Sequence, residues 1–144
     1  MTFPADLVAL AKATAAKHNL DPALVCSVVE QESFPPWNPW SMRAEPAFDA
    51  RYVQALHKTP TEEWARSISW GLMQLMGECA REHGYTGYLP ELCEPATGLE
   101  WGCVHLAAKL ASAGGDISKG LEMWNGGANP TYASEVLARL KNYQ

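Results

Sequence analysis

Apolar residues recur at helical spacing along most of the chain, whereas the strict alternation typical of strands is scarce. Prolines and glycines interrupt the pattern and separate one apolar stripe from the next. The predicted helices span 4–18, 22–33, 46–57, a short segment that begins at Thr59, 69–83, 96–112, 117–125 and 131–142. This pattern predicts an all-α fold, a compact bundle of seven or eight helices that forms a single domain over residues 1–144.

The helix predicted over 22–33 ends on a charged residue that continues its apolar face. Asp21 is a suitable N-cap, and the proline after it fits the first helical turn. Glu32 lies seven residues after Val25 and three after Val29, so its side chain prolongs the apolar stripe. Removal from water disfavours the charged form of a carboxyl group, so we expect a raised pKa for Glu32, as a general acid needs near neutral pH. The alternative, from spacing alone, is a solvated residue of the last turn.

Composition and charge narrow the possible partners. With 144 residues, of which 47 % are hydrophobic and 19 % are charged, the chain is long enough to bury one core. The net charge of −5 and the lack of a Lys/Arg run argue against a nucleic-acid partner. Six tryptophans are many for this length, and the loop residues Trp37 and Trp40 either line a groove for sugars or peptides or belong to the core.

The cysteines give neither a metal-binding nor a disulfide pattern. No two form a CxxC pair and no histidine completes a zinc motif; they are Cys26, Cys79, Cys93 and Cys103. We therefore expect reduced thiols and no bound metal. The chain also has no HExxH motif, glycine-rich phosphate loop or GxSxG motif, so we expect no organic cofactor.

The first residues do not resemble a signal peptide. Segment 1–6 lacks a basic start, and charged residues interrupt the region as far as Lys17. No stretch is long and apolar enough to span a membrane. We expect a soluble monomer that is made in the cytoplasm.

Three further segments carry polar groups in unusual places. Gln74 is a lone amide within the apolar run 69–77, Asn125 precedes two glycines, and Tyr132 begins the last predicted helix. Each has an ordinary structural explanation as well: a hydrogen-bonded core amide, a glycine helix stop and a core tyrosine. Considered one at a time, the segments leave both interpretations open.

Together, these segments are similar to the soluble lytic transglycosylase (SLT) domain of the lysozyme-like superfamily. The resemblance rests on Glu32-Ser33, Gly71-Leu72-Met73-Gln74-Leu75-Met76, Asn125-Gly126-Gly127 and Tyr132, in this order. It covers nearly the whole chain and implies a helical fold of the goose-type lysozyme kind. It also implies cleavage of the β-1,4 bond between N-acetylmuramic acid and N-acetylglucosamine in peptidoglycan.

The resemblance implies a role for each matching residue. Glu32 would be the single catalytic acid/base, and the muramyl 6-hydroxyl would attack its own anomeric carbon and leave a 1,6-anhydro end. Met73 and Gln74 would line the sugar groove. Asn125 would contact the sugar or orient Glu32, and Tyr132 would form a hydrogen bond near the acid.

Two positions depart from the family pattern. The family usually has tyrosine before the Asn of the third motif, where this chain has Trp124. An indole can stack on a sugar but cannot accept a hydrogen bond as a phenol can, so we expect the contact with the acid to be lost. Ser41 is a candidate substrate contact that lies nine residues after Glu32, as the family serine does, but two rather than four after a proline.

The stretch between Ser41 and Ser69 is longer than the family pattern. Its residues 42–48 resemble the Arg-x-Glu-x-x-Phe segment of phage-type muramidase domains. This implies a bacteriophage endolysin that acts on the cell wall in the periplasm or outside the cell, and it makes Glu45 a possible second carboxylate. Alternatively, Glu45 only complements the dipole of the helix it precedes. The competing functions are a hydrolytic muramidase that uses Glu32 and Glu45, and a non-catalytic peptidoglycan-binding or phage tail module.

Overall fold

The computed structural model describes residues 3–144; Met1 and Thr2, which open the segment interpreted above as lacking a signal peptide, lie outside the described residues. The helices, in chain order, are α1 (Ala5–Lys17), α2 (Pro22–Glu32), α3 (Pro46–Phe48), α4 (Pro60–Arg66), α5 (Gly77–Glu82), α6 (Pro95–Ser112), α7 (Ile117–Asn125) and α8 (Tyr132–Leu137). The strands are β1 (Met42–Ala44), β2 (Ile68–Trp70) and β3 (Leu75–Met76). The chain is mostly helical with a small sheet, so the predicted helical fold class is confirmed.

Side-chain caps begin α2 and α7, and a glycine ends α7. The Asp21 carboxylate accepts a hydrogen bond from the Ala23 N–H at 2.9 Å and caps α2. Asp116 caps α7 in a similar way, by accepting from the Lys119 N–H at 3.0 Å. Gly126, with a φ of +79°, ends α7 in the left-handed conformation that favours glycine.

The single helix predicted over 69–83 is wrong. This segment forms β2, a tight turn and β3 before α5 begins. Gly71 (φ +74°) and Gln74 (φ +51°) are left-handed, a conformation that ends a helix rather than continues it. Gly71 also packs so closely on Leu92 that an added Cβ would overlap the Leu92 carbonyl. Periodicity misleads here because a short buried strand and a buried helical turn have similar apolar patterns.

The three strands form one antiparallel sheet in the order β1-β2-β3. Met42 lies opposite Trp70, and Trp70 lies opposite Leu75. β1 has only three residues, all of them exposed, so its sequence carries no alternation that would predict a strand. The register brings the start of β1, at Met42, beside the turn that holds Gln74.

Two predicted helices are present in a less regular form. α3 passes into a π-helical turn at Asp49–Val53 and a 3-10 turn at Gln54–Leu56. His57, with a φ of +53°, ends that segment. The last predicted helix, 131–142, is divided between α8 and a 3-10 turn at Leu140–Asn142.

Two buried clusters form the core. The larger lies among α1, α2, α6, α7 and α8 and includes Val25, Val29 and Leu106. The smaller joins α4, the sheet and α5 to a 3-10 turn at Leu89–Cys93, and it includes Ile68. Each fully buried aliphatic side chain contributes about 1.5–3 kcal/mol of transfer free energy. Among residues 3–144 there is no helix whose length and apolarity would allow it to cross a membrane.

Candidate active site

Glu32 is the last residue of α2, where an apolar helix face meets a chain reversal. Val25 and Val29 on that face are fully buried, whereas Glu32 is half-buried. The chain leaves the helix at Ser33, whose hydroxyl accepts a hydrogen bond from the Trp37 N–H at 2.7 Å and holds the next loop against the helix end. Glu32 therefore lies where its apolar spacing predicts.

Two side chains from distant parts of the chain donate hydrogen bonds to the same oxygen of Glu32. The Tyr132 hydroxyl lies 2.5 Å from Oε1, and the Trp124 Nε1–H lies 3.2 Å from it. Within residues 3–144 no protein group donates to Oε2. This oxygen can therefore carry the proton while the other is held by the two donors.

The surroundings of Glu32 act on its pKa in both directions. Burial has the largest effect and raises the pKa, because it disfavours the anion. The hydrogen bonds from Tyr132 and Trp124 and the charge of Arg43 lower it, whereas the charge of Glu45 raises it. The net result is a pKa above the usual range for glutamate, as the sequence predicts.

Tyr132 itself stays protonated. Burial, the charge of Glu32 and their hydrogen bond all raise the pKa of the Tyr132 hydroxyl. It is therefore a hydrogen-bond donor to Glu32 over the whole range of physiological pH. The expectation of a hydrogen bond between Tyr132 and the acid is confirmed.

The expectation that Trp124 loses contact with the acid is wrong. Its indole N–H donates to Glu32 directly. An indole cannot accept a hydrogen bond, but a carboxylate needs a donor, and the indole supplies one. A tyrosine hydroxyl at this position could also donate to the carboxyl group. Tryptophan in place of the family's tyrosine therefore keeps a hydrogen-bond donor to Glu32.

Asn125 follows Trp124 and closes the turn after α7. With its amide oxygen turned to the loop, Asn125 accepts from the N–H groups of Asn129 at 2.9 Å and Ala128 at 3.2 Å. These hydrogen bonds go to the loop backbone and not to Glu32, so the suggestion that Asn125 orients the acid is not supported. Its contact with a sugar stays a prediction.

Met73 does not line a groove, and this prediction is wrong. Its exposed fraction is 0 %, and its thioether packs against Gly102 of α6. The Met73 side chain is part of the larger buried cluster, together with Leu72 and Leu99. A glycan on the surface has no access to it.

Gln74 and Ser41 hold the hairpin to the chain that follows Glu32. The Gln74 amide donates to the Ser41 carbonyl at 2.9 Å and to the Gly71 carbonyl at 3.0 Å, and its oxygen accepts from the Ser69 hydroxyl at 2.9 Å. The Ser41 hydroxyl donates to the Asn38 carbonyl at 2.9 Å. Both side chains therefore have structural partners, and a direct contact with substrate stays a prediction for each.

Glu45 follows β1 and precedes α3. Its Oε1 accepts from Arg43 Nε at 2.7 Å, and 31 % of its side chain is exposed. Its charge and that of Arg43 both reach Glu32, with opposite effects on the Glu32 pKa. The influence of Arg43 on Glu32 is not predicted by the sequence, in which the available signal is a basic residue two positions before the candidate carboxylate Glu45.

The loop tryptophans differ in environment. Trp37 is buried, and its indole donates to the Tyr143 hydroxyl at 2.8 Å, so it belongs to the core. Trp40 is 74 % exposed.

No group of three or more His, Cys, Asp or Glu side chains could hold a metal ion in the part of the chain that the structure describes. All four cysteines are free thiols. What the arrangement around Glu32 can do is donate a proton to a bound group and then remain as a carboxylate stabilised by two donors.

Comparison with known proteins gives one match. A search of curated proteins and a search of solved structures found nothing similar. A family model, described as the transglycosylase SLT domain, matches residues 9–141. Glu32, Trp124 and Tyr132 all lie within the matched range. Because the match covers nearly the whole chain, the protein belongs to the transglycosylase SLT domain family, the lytic transglycosylases that degrade peptidoglycan.

Proposed function

We propose that this chain cleaves the β-1,4 bond between N-acetylmuramic acid and N-acetylglucosamine, with Glu32 as its single general acid/base. The observation that carries the proposal is the half-buried carboxyl group of Glu32, which accepts hydrogen bonds from Tyr132 at 2.5 Å and Trp124 at 3.2 Å. Burial favours the protonated form that a general acid needs. The two donors stabilise the carboxylate that remains after proton transfer.

The proposed reaction has two proton transfers through the same carboxyl group. Protonated Glu32 first gives its proton to the glycosidic oxygen, and the bond from that oxygen to the anomeric carbon breaks. The carboxylate then takes the proton of the muramyl 6-hydroxyl as that oxygen bonds to the anomeric carbon. The product carries a 1,6-anhydro ring, and no water is consumed. The acetamido group of the substrate stabilises the positive charge between the steps, in place of a second carboxylate.

The second candidate is a hydrolytic muramidase in which Glu45 directs a water molecule. It is favoured by one observation, that the charge of Glu45 acts on the pKa of Glu32, which brings the two carboxylates into one electrostatic environment. Glu45 also forms an ion pair with Arg43 at 2.7 Å. Against it, this ion pair already uses one oxygen of the carboxylate.

The finer assignment is also part of the proposal. The similarity of residues 42–48 to the Arg-x-Glu-x-x-Phe segment of phage-type muramidase domains supports an endolysin that acts on the cell wall in the periplasm or outside the cell. We propose one catalytic domain that acts as a monomer and binds glycan strands by short-range contacts, because its net charge of −5 gives no attraction to an anionic wall.

Digestion of purified peptidoglycan by wild type, Glu32→Gln and Glu45→Gln tests this proposal. Clearing of the suspension gives the rate, and mass spectrometry of the soluble fragments gives the product. We expect Glu32→Gln to lose roughly 10²–10⁴ of the rate, the usual contribution of general acid–base catalysis. We expect Glu45→Gln to stay within about threefold of wild type.

The product mass separates the two candidates. A 1,6-anhydro end weighs one water less than a reducing end. Reducing ends together with a large loss of rate in Glu45→Gln would replace the proposal by the hydrolytic alternative. Full activity of Glu32→Gln would refute both, and binding of peptidoglycan without turnover by wild type would leave a non-catalytic module.

A further inference from the structure

His83 and His105 form a hydrogen-bonded pair beside the indole of Trp124. His105 lies within α6, and His83 directly follows α5. Nε2 of His83 and Nδ1 of His105 are 2.8 Å apart. The His105 ring also packs on the Trp124 indole, with ring centroids 5.3 Å apart and planes tilted by 51°. A continuous set of contacts therefore runs from His83 through His105 and Trp124 to Glu32.

Burial favours the neutral form of both histidines. A hydrogen bond between two imidazole nitrogens requires one of them to be unprotonated. Burial, followed by the charges of His83 and Lys109, lowers the pKa of His105 to about 4. Burial, followed by the charge of Lys109, also lowers the pKa of His83. The histidines therefore act on Trp124 through packing and hydrogen bonding, not through an ionic charge.

The contact between Trp124 and Glu32 depends on the direction of one N–H bond. The indole has a single donor, fixed in the plane of the ring, so rotation of the ring moves that donor away from the carboxylate. At 3.2 Å the hydrogen bond is already long and tolerates little rotation. Trp124 lies one residue before the end of α7, so the helix fixes its backbone, and the direction of its ring depends on the groups that pack against it.

We propose that His105 is a positioning residue, whose ring, held by His83, keeps the Trp124 indole directed at Glu32. The inference rests on the proposed role of Glu32 as the acid/base, and it assigns a task to two histidines that make no contact with the carboxyl group. His105 acts only through Trp124. The other groups that act on Glu32 are Tyr132, Arg43 and Glu45, and His105 is not among them.

The test follows the Glu32 pKa in the whole chain by ¹³C NMR of the side-chain carboxyl groups. The resonance that disappears in Glu32→Gln identifies the group. The Trp124 bond lowers the pKa of Glu32, so its loss raises the titration midpoint. We expect Trp124→Phe to raise the midpoint by roughly 1 pH unit, the usual effect of one hydrogen bond to a charged group. We expect His105→Leu to raise it by at least half as much.

A double substitution separates positioning from a general loss of packing. If His105 acts through the indole, His105→Leu combined with Trp124→Phe raises the midpoint no further than Trp124→Phe alone. His105→Asn, which keeps an amide donor near the His83 ring, should restore part of the wild-type midpoint. His57→Asn is the matched control, because His57 is exposed and its φ of +53° suits asparagine; it should leave the midpoint unchanged.

Three results would overturn the inference: an unchanged midpoint in His105→Leu, an unchanged midpoint in Trp124→Phe, or additive shifts in the double variant. If His105→Leu does not fold, His83→Ala answers the same question, since it removes only the partner that holds the His105 ring. The readout does not depend on turnover. An active Glu32→Gln would refute the proposed function while the titration of Glu32 still reported on the histidine pair.

Discussion

At Glu32, burial and hydrogen bonding act on one carboxyl group in opposite directions. Burial removes water from the group and favours the proton, whereas Tyr132 and Trp124 each donate to it and favour the anion. Burial has the larger effect, so the group holds a proton at a higher pH than an exposed glutamate does. A buried group that must ionise during a reaction is expected to lower the stability of the fold that contains it.

Glu32→Gln should therefore make the protein more stable at neutral pH. The folded pKa of Glu32 is raised above its unfolded value of 4.5, so the folded state binds more protons, and stability falls as pH rises from about 4.5 through the folded pKa. Glutamine cannot ionise and can still accept from Tyr132 and Trp124. We expect a gain of about 1 kcal/mol at neutral pH, which shifts Tm by roughly 2–6 °C.

Thermal melts of wild type and Glu32→Gln between pH 4 and pH 8 measure how this gain in stability depends on pH. The gain should be largest at the upper end and should vanish near pH 4, where the wild-type group is protonated in both states. A gain that is equal at both ends, or a loss at pH 8, contradicts the assignment of a raised pKa.

Among the elements, the β2–β3 hairpin carries the motif of residues 71–76 and is held by contacts on both sides. Gln74 links its turn to Ser41 at 2.9 Å, on the chain that leads away from Glu32. On the other side, Gly71 lies against the backbone of Leu92, in the 3-10 turn that precedes α6. The close approach here is backbone against backbone, which explains why the motif begins with glycine in this chain.

Gly71→Ala should lower the free energy of unfolding by more than the usual replacement of a left-handed glycine by alanine does. The substitution strains a φ of +74° and also forces a Cβ into the Leu92 carbonyl. Gly114→Ala is the matched control, because Gly114 has a φ of +68° and nothing lies within 4 Å of the added Cβ. We expect a loss of about 3 kcal/mol or more for Gly71→Ala and about 1 kcal/mol for Gly114→Ala.

Urea unfolding of both variants gives the two free energies. The difference between them isolates the steric contact, since both glycines have nearly the same φ. Equal losses would show that Leu92 can move away at little cost.

Over the whole molecule, an ion network joins α4 to α5 on the side of the smaller cluster. Glu62 accepts from Arg81 at 2.7 Å and from Arg66 at 2.8 Å, and Arg66 also donates to Glu78 at 2.8 Å. The hydrogen bond from Arg81 has the largest effect, and with Arg66 it lowers the pKa of Glu62 to about 2, against the opposing effect of burial. This contribution to stability has the opposite pH dependence to that of Glu32.

Glu62→Gln should destabilise the fold at neutral pH and not in strong acid. The folded pKa of about 2 lies below the unfolded value of 4.5, so the stabilisation is fully present above pH 4.5 and is lost as pH falls through 2. We expect a loss of about 1–2 kcal/mol at pH 7. Solvent screens the pair, because 29 % of the Glu62 side chain is exposed, so the loss is smaller than the pKa alone would give.

Denaturant unfolding at pH 7 and pH 3 measures the stability lost in Glu62→Gln. The control is Glu63→Gln, because Glu63 is the next residue of α4 and makes no ion pair within residues 3–144. The control should change stability by less than about 0.5 kcal/mol at both pH values. A loss for Glu62→Gln that does not decrease at pH 3 would assign it to packing instead.

The sequence by itself determined the features that depend on neighbours along the chain. The Asp21 cap, the apolar stripe that ends at Glu32 and the glycine stop after α7 involve residues within a turn or two of one another, so spacing alone predicts them. The partnership of Tyr132 with Glu32 spans 100 positions. It came from the family pattern, because no local signal connects such distant residues.

The tertiary structure alone decided which groups surround the carboxyl and which do not. Met73 is drawn into the core by its hairpin, the Trp124 N–H is directed at Glu32, and His105 packs behind that indole. Each outcome depends on the relative placement of elements whose contacts are far apart in sequence. The spacing of apolar residues predicts that a side chain is buried, but the hydrophobic effect does not select its neighbours. Only the packed fold determines which residues that side chain contacts.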